Sequence, residues 1–439
     1  MREDELAAPE AGGIVHARLG RPPQDLLEAV VVLEAWGGVP TLVAFGVGGD
    51  VLAPEAQPDP PGARRPALEA GGRESVVAEG VALLVAILAV AAWAGPLSAA
   101  LGPAVLERAL QIALPLTLCL QWMVRSRYLS RTGGMRLIVE DQVPLVLGLG
   151  LLGGTLALLP PFGPLAGIFV AVWVGGTVLA RRGWGLLYGA LVLGEAVALE
   201  LGAPARDSLV LLAGVTLLGV LIAIATGGAA SNESPGRVGR ALAAGTIGAL
   251  LGGVLVGDTS LGWGVHGAFP ALALVPSVAG SFWGGYHLWQ FHEAIPRELR
   301  GIAIGHSSGR LGRGPAGRIV VGALARLLGV TVVLSGLVLG AATWTRGTDH
   351  GSLFVAFGCA ALVCLFVSLH ESLGYLRWAC FSAAAGLAAE LAVQRWFVTS
   401  VPGMGLIVGG TLGTLLALVP LLLRLRSSSR VLATALWIK

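Results

Sequence analysis

Charge is what this chain has least of. Only 13% of its 439 residues are Asp, Glu, Lys or Arg, against roughly 25% in ordinary soluble domains. A water-exposed surface for a chain of this length could not be covered from that supply. Aromatics are also few, at 6%, and there are four cysteines. Cys119, Cys359, Cys364 and Cys380 lie inside apolar runs without metal-ligand or redox spacing. That excludes a zinc module and a disulfide framework, and leaves them as small packing groups. The acidic start Met1–Glu10 has no apolar core or small-residue cleavage site behind it, so no cleaved signal peptide is expected.

What the chain has instead is apolar length: 55% hydrophobic residues and 66 glycines. Apolar runs of about eighteen residues or more recur, each able to cross ~30 Å of hydrocarbon at ~1.5 Å per residue. The expected fold class is therefore all-α, a polytopic integral membrane protein with about twelve transmembrane helices. Spans are predicted near 76–97, 103–123, 143–160, 163–180, 184–203, 208–228, 238–257, 264–284, 319–344, 352–370, 376–398 and 403–424. With the N-terminus inside, alternate loops collect Arg125, Arg127, Arg131 and Arg136, then Arg181 and Arg182, then Arg237 and Arg240. The 286–318 loop adds Arg297, Arg300, Arg310, Arg313 and Arg318, the next such loop Arg377, and the C-terminal tail Arg424, Arg426, Arg430 and Lys439. The opposite loops hold only Arg108, Arg206, Arg346 and Arg395. Cationic loops stay in the cytoplasm, so both termini are expected inside a cytoplasmic membrane. The net charge of +3 reports this asymmetry and not a nucleic-acid partner.

The domain reading has three parts. Residues 1–75 form a cytoplasmic tail, in which DLLEAVVVLEAW (25–36) spells a short amphipathic helix closed by Gly37-Gly38. TLVAFGV (41–47) could continue as a strand or as a segment packed on the membrane, and LAPEAQPDPPGARRP (52–66) is a Pro-rich spacer. The tail is either weakly folded or a docking element for a soluble partner. Residues 76–228 and 237–430 form two six-helix lobes, the second carrying a cytoplasmic amphipathic loop at 286–318. At the start of that loop, SFWGGYHLWQFHEAIPRELRG (281–301) sets Trp283, Tyr286 and Trp289 at the interface. Its two histidines, His287 and His292, are five residues apart, whereas two ligands on one helix face need a spacing of four. GHSSGRLGRGPAG (305–317) follows no strand and lacks a Gly-Lys-Ser/Thr ending, so it reads as a basic loop and not a phosphate cradle. No metal, cofactor or enzymatic constellation emerges, and no catalytic residue is assigned.

A few ionisable groups sit where hydrocarbon should be, at a cost of about 2.5–3.5 kcal/mol each on the lenient scale. Glu195 lies mid-span, Arg326 in an inner half and Glu390 in an outer half. They either form buried structural pairs or line an aqueous path for a charged substrate or a coupling proton. Glu107, Arg108, His370 and Glu371, at span ends, are expected to snorkel to the interface. LVLGEAVALELGAP (191–204) and GLAAELAVQRWFVTSVPG (386–403) place one Glu each in equivalent spans of the two halves, as in transporters built by duplication.

Three stretches carry a resemblance. MVRSRYLSRTGGMR (123–136) leaves the second span, FPALALVPSVAGSFWGGYHLWQFHE (269–293) closes the eighth, and VPGMGLIVGGTLGTLLALVPLLLR (401–424) is a Gly-rich last helix. In these the chain resembles the membrane exporter subunit of Pel-type exopolysaccharide systems, in the multidrug/oligosaccharidyl-lipid/polysaccharide (MOP) flippase superfamily. The resemblance covers the layout of residues 76–430. It departs in the long tail and in the histidines among the loop aromatics. It implies two lobes around a cleft, a saccharide substrate, a cytoplasmic glycosyltransferase or other complex subunits as partners, and a transport role for Arg127 and Tyr128.

The leading expectation is thus a membrane exporter or flippase moving a polysaccharide or lipid-linked saccharide, with Glu195, Arg326, Glu390, Arg127 and Tyr128 as substrate or coupling candidates. The alternatives are a small-molecule secondary transporter and, in another class, a membrane-embedded envelope-assembly enzyme or a scaffold. The short outer loops argue against the enzyme. If the tail docks a partner, deleting residues 1–70 leaves membrane insertion intact and loses the partner in a pull-down; retained binding refutes docking.

Overall fold

A computed structural model describes residues 8–20, 23, 26–39, 43–44, 47–48, 93, 96–124, 126–127, 142–160, 162–181, 183–226, 238–257, 351–372, 375–397 and 401–425. It also describes the helical positions 325, 329, 333, 336 and 340. Among these residues there is no strand. The helices are α1 (Ala8–Leu19), α2 (Leu26–Gly37), α3 (Pro103–Val124), α4 (Gln142–Ala157), α5 (Phe162–Arg181) and α6 (Gly185–Glu200). They continue with α7 (Ala205–Ala225), α8 (Val238–Val256), α9 (Gly351–Ser372), α10 (Leu376–Trp396) and α11 (Met404–Leu425). Seven of the described helices, α3, α5 and α7 to α11, are long and apolar enough to cross a membrane. Nine of the expected spans coincide with α3 to α11. Spans near 76–97 and 264–284 lie almost wholly outside the described residues, and 319–344 is represented by its five helical positions.

The tail differs from the reading above. It holds two helices, where the sequence had suggested one. α1 contains Gly12-Gly13, which lowers helix propensity, yet Ala11 and Val15 are buried, as are Ala29, Val30 and Leu33 of α2. Arg18 stacks on the Trp36 ring at 3.6 Å, and Gly20 closes α1 in the left-handed region (φ 65). Positions 43–44 and 47–48 are helical, so that segment does not run as a strand there.

Helix ends are set by local chemistry. After α5 and α6, Gly183 and Gly202 take φ 84 and φ 95. The Trp184 N–H then donates to the Leu179 carbonyl and the Ala203 N–H to that of Ala198. Such closures satisfy the last helical carbonyls, which hydrocarbon would leave bare.

Two apolar cores organise the bundle. One joins Ala109 and Ala113 of α3 with Phe169, Val192 and Leu212 of α5, α6 and α7. The other joins Ile247 and Leu251 of α8 with Phe357, Ala383 and Leu406 of α9, α10 and α11. Helix α3 belongs to both, since Leu118 and Trp122 pack against the second core. Glycine lets the helices meet this closely. A Cβ on Gly245 would strike Met123, on Gly248 the Leu118 carbonyl, and on Gly252 the Pro115 Cα. At the α10–α11 contact, Gly386 faces the Gly409 carbonyl and Gly413 faces that of Ser382. With lipid as apolar as leucine, helix association depends on such close packing and not on burial.

Contacts between helix ends show α3 and α5 running parallel, as two helices separated by one intervening span must. Arg108, at the start of α3, lies 5.3 Å from the Phe162 ring at the start of α5. Gln121, near the end of α3, donates to Thr177, near the end of α5. Replacing Gly248 with Ala should cost about 1–3 kcal/mol through overpacking. Gly194→Ala, where a Cβ meets open space, should change stability by about 1 kcal/mol or less. Thermal unfolding in lipid nanodiscs checks both; equal effects would show that helix approach is not limiting.

Candidate functional site

Ser382, Gly386, Glu390 and Gln394 recur at four-residue steps along α10, which places them on one helical stripe. Because Gly386 on this stripe faces Gly409 of α11, and Gly257 follows α8, these elements can close over the carboxyl. Glu390 is 0% exposed. A Cβ on Gly257, just past the end of α8, would lie 3.1 Å from its carboxyl carbon, and one on Gly409 of α11 2.8 Å from its Cβ. The Gln394 side-chain amide donates to the Gly257 carbonyl at 2.7 Å, tying the end of α10 to the end of α8. Ser382 is fully buried too, and its hydroxyl makes no hydrogen bond among the described residues.

A second polar cluster closes the opposite end. His370 Nε2 lies 2.7 Å from the Ala417 carbonyl of α11, and the Tyr375 ring meets the imidazole edge-on at 6.2 Å. Pro420, inside α11, has no N–H to give to the Leu416 carbonyl, which is next to the one His370 meets. His370 is 0% and Glu371 7% exposed. Neither side chain extends outward as snorkelling requires, since both are buried within the bundle and His370 is held by α11. Arg108 and Glu107, by contrast, are exposed and half-buried at the start of α3.

Glu195 is placed differently from Glu390. The buried stripe of α6 is Gly189, Val192, Ala196 and Leu199; Glu195 flanks it, half-buried, between the exposed Leu193 and Val197. The echo between the two spans therefore does not extend to their surroundings. Two turns before Glu195 on α6, the Tyr188 hydroxyl donates to the Val172 carbonyl at 2.8 Å. Thr216 lies 3.1 Å from that hydroxyl and donates to the Leu212 carbonyl at 2.6 Å. On the other side of α5, Gln121 bonds Thr177 at 2.7 Å and the Trp173 carbonyl at 3.3 Å.

These bridges were not anticipated, because the sequence reading searched the spans for charge. A neutral Gln or Tyr inside an apolar run was the available signal, since hydrogen-bonding side chains are used between membrane helices. Arg127 stands half-buried in a π-type turn beyond α3. Tyr128 and Arg326 lie outside the described residues, as do Asp258, His266, His287 and His292. Among the candidates, then, Glu390 of α10 is enclosed by the end of α8 and by α11, and Glu195 sits apart from it. The four cysteines are free and half-buried.

No protein family, curated protein or solved structure matches this chain. Replacing His370 with Ala should lower stability by about 1–3 kcal/mol, because the Ala417 carbonyl loses a buried partner. Thermal unfolding checks this, and His370→Gln, which keeps a donor, should recover part of the loss. Equal losses for both variants would mean that the bond to Ala417 contributes nothing.

Proposed function

We propose that this multi-pass membrane protein is an exporter of the flippase type, moving a polysaccharide or lipid-linked saccharide across the cytoplasmic membrane with both termini inside. The observation that carries a transport reading is Glu390: a carboxyl of α10 with 0% exposure, enclosed by the end of α8 and by α11. Ionisable groups at such depth are costly and mark substrate or ion pathways. The saccharide and the glycosyltransferase partner rest on the resemblance of residues 123–136, 269–293 and 401–424.

One observation favours the second reading, a small-molecule secondary transporter. Gly257 and Gly409 lie so close to Glu390 that a Cβ on either would come within about 3 Å of it, which leaves no room for a sugar ring. In an exporter, Glu390 therefore serves energy coupling, and the saccharide takes another path.

Glu390→Gln should abolish transport while membrane insertion and folding persist. Saccharide retained in the cytoplasm of cells carrying the variant, against export in wild type, is the measurement. Undiminished export removes Glu390 from the mechanism. A wild-type chain whose loss leaves saccharide export untouched, but stops uptake or efflux of a small solute, replaces the first reading with the second.

A further inference from the structure

Helix α6 has three faces and not two. Its buried stripe, Gly189, Val192, Ala196 and Leu199, packs inward. Its exposed stripe, Leu186, Ala190, Leu193 and Val197, lies open to lipid. Between them runs a third: Trp184, just before the helix, then Tyr188, Leu191, Glu195 and Ala198, all half-buried. Steps of three and four residues keep these on one line along the helix. A line that is neither sealed in the core nor fully open borders a shallow recess. Glu195 stands in it near mid-span, and among the described residues it has neither a hydrogen-bond nor an ion-pair partner. Helix α7, which packs on α6, has its charges, Arg206 and Asp207, at its exposed start, and Arg206 does not pair with Glu195. A carboxylate at such depth is costly unless a positive charge meets it.

The surroundings select among cations. A hard metal ion takes several oxygen ligands, whereas one turn to either side of Glu195 on its stripe stand Leu191 and Ala198. An organic cation needs one carboxylate for its charge and apolar or aromatic walls for the rest, since ring faces attract such cations. The Tyr188 hydroxyl is engaged with the Val172 carbonyl and Thr216, which anchors its ring on the stripe. From Tyr188 to Glu195 is about 10 Å along the axis at ~1.5 Å per residue, the width of a cation carrying several hydrocarbon groups. We propose that this half-buried stripe of α6 binds an amphipathic organic cation, Glu195 meeting its charge and Trp184 and Tyr188 its apolar groups. As a transport subsite the stripe rests on the transport reading, and it fits the small-molecule carrier better than the exporter. As a binding site it stands on the geometry of α6 alone.

The test uses the full chain in lipid nanodiscs, with radiolabelled tetraphenylphosphonium as the probe and empty nanodiscs to subtract partitioning into lipid. Wild type should bind the probe saturably. Glu195→Gln should abolish that binding, whereas Glu195→Asp, which keeps the charge, should retain it. Glu200→Gln, at the exposed end of α6, should leave it unchanged. Trp184→Leu should weaken it roughly 2- to 30-fold, the equivalent of one cation–π contact. Absence of saturable binding in wild type overturns the site, as does binding that Glu195→Gln retains. Should that variant fail to insert, wild-type Glu195 is labelled with dicyclohexylcarbodiimide and the adduct located by mass spectrometry. Labelling that tetraphenylphosphonium does not reduce overturns the site equally. Because the readout is binding, cation binding without saccharide export would sink only the exporter reading, and export without cation binding only this inference.

Discussion

The structure depends on how closely apolar helices can approach one another where no hydrophobic force drives them together. Inside hydrocarbon the backbone satisfies itself within each helix, so helix–helix affinity comes from packing distance and from a few hydrogen bonds. Gly245, Gly248 and Gly252 bring α8 onto the backbone of α3. Gly386, Gly409 and Gly413 do the same for α10 and α11. At such distances dispersion and Cα–H···O contacts accumulate along the seam. Since α3 contributes to both apolar cores, this seam is also where the two sets of helices are joined.

Polar groups in the described bundle follow a division of labour. On the α3–α7 side, Gln121, Thr177, Tyr188 and Thr216 bind one another and backbone carbonyls across helices, which fastens helices without placing charge in the bilayer. On the α8–α11 side the buried groups include the ionisable Glu390 and His370. Each sits at an end of the seam, beside a distinct break in helix regularity: the end of α8 for Glu390 and the Pro420 turn for His370. The small residues that allow the close approach include Gly257 and Gly409, where a Cβ would press on Glu390.

Much of the bundle was legible beforehand. The expected spans 103–123, 238–257 and 403–424 fall within a residue or two of α3, α8 and α11, because apolar length against the width of a bilayer leaves little choice of register. The tail was less legible. α1 carries Gly12 and Gly13 and so has weak helix propensity of its own; its helix packs against α2. The Glu195–Glu390 echo was legible as sequence but not as environment, since burial on a membrane helix depends on what lies against each face. His370 and Glu371, read as snorkelling, are buried, and His370 is held by Ala417 of α11, 47 residues further along the chain.

The sequence by itself determined that this is an all-helical chain with several membrane-crossing segments, and where most of them begin and end. Composition and segment length suffice for that, because each crossing helix closes its own hydrogen bonds. Tertiary structure alone decided which ionisable group is enclosed. Whether a carboxyl meets lipid, a partner or a glycine wall depends on neighbouring helices, and their approach is governed by side-chain volume at contacts between residues as distant as Gly253 and Leu387.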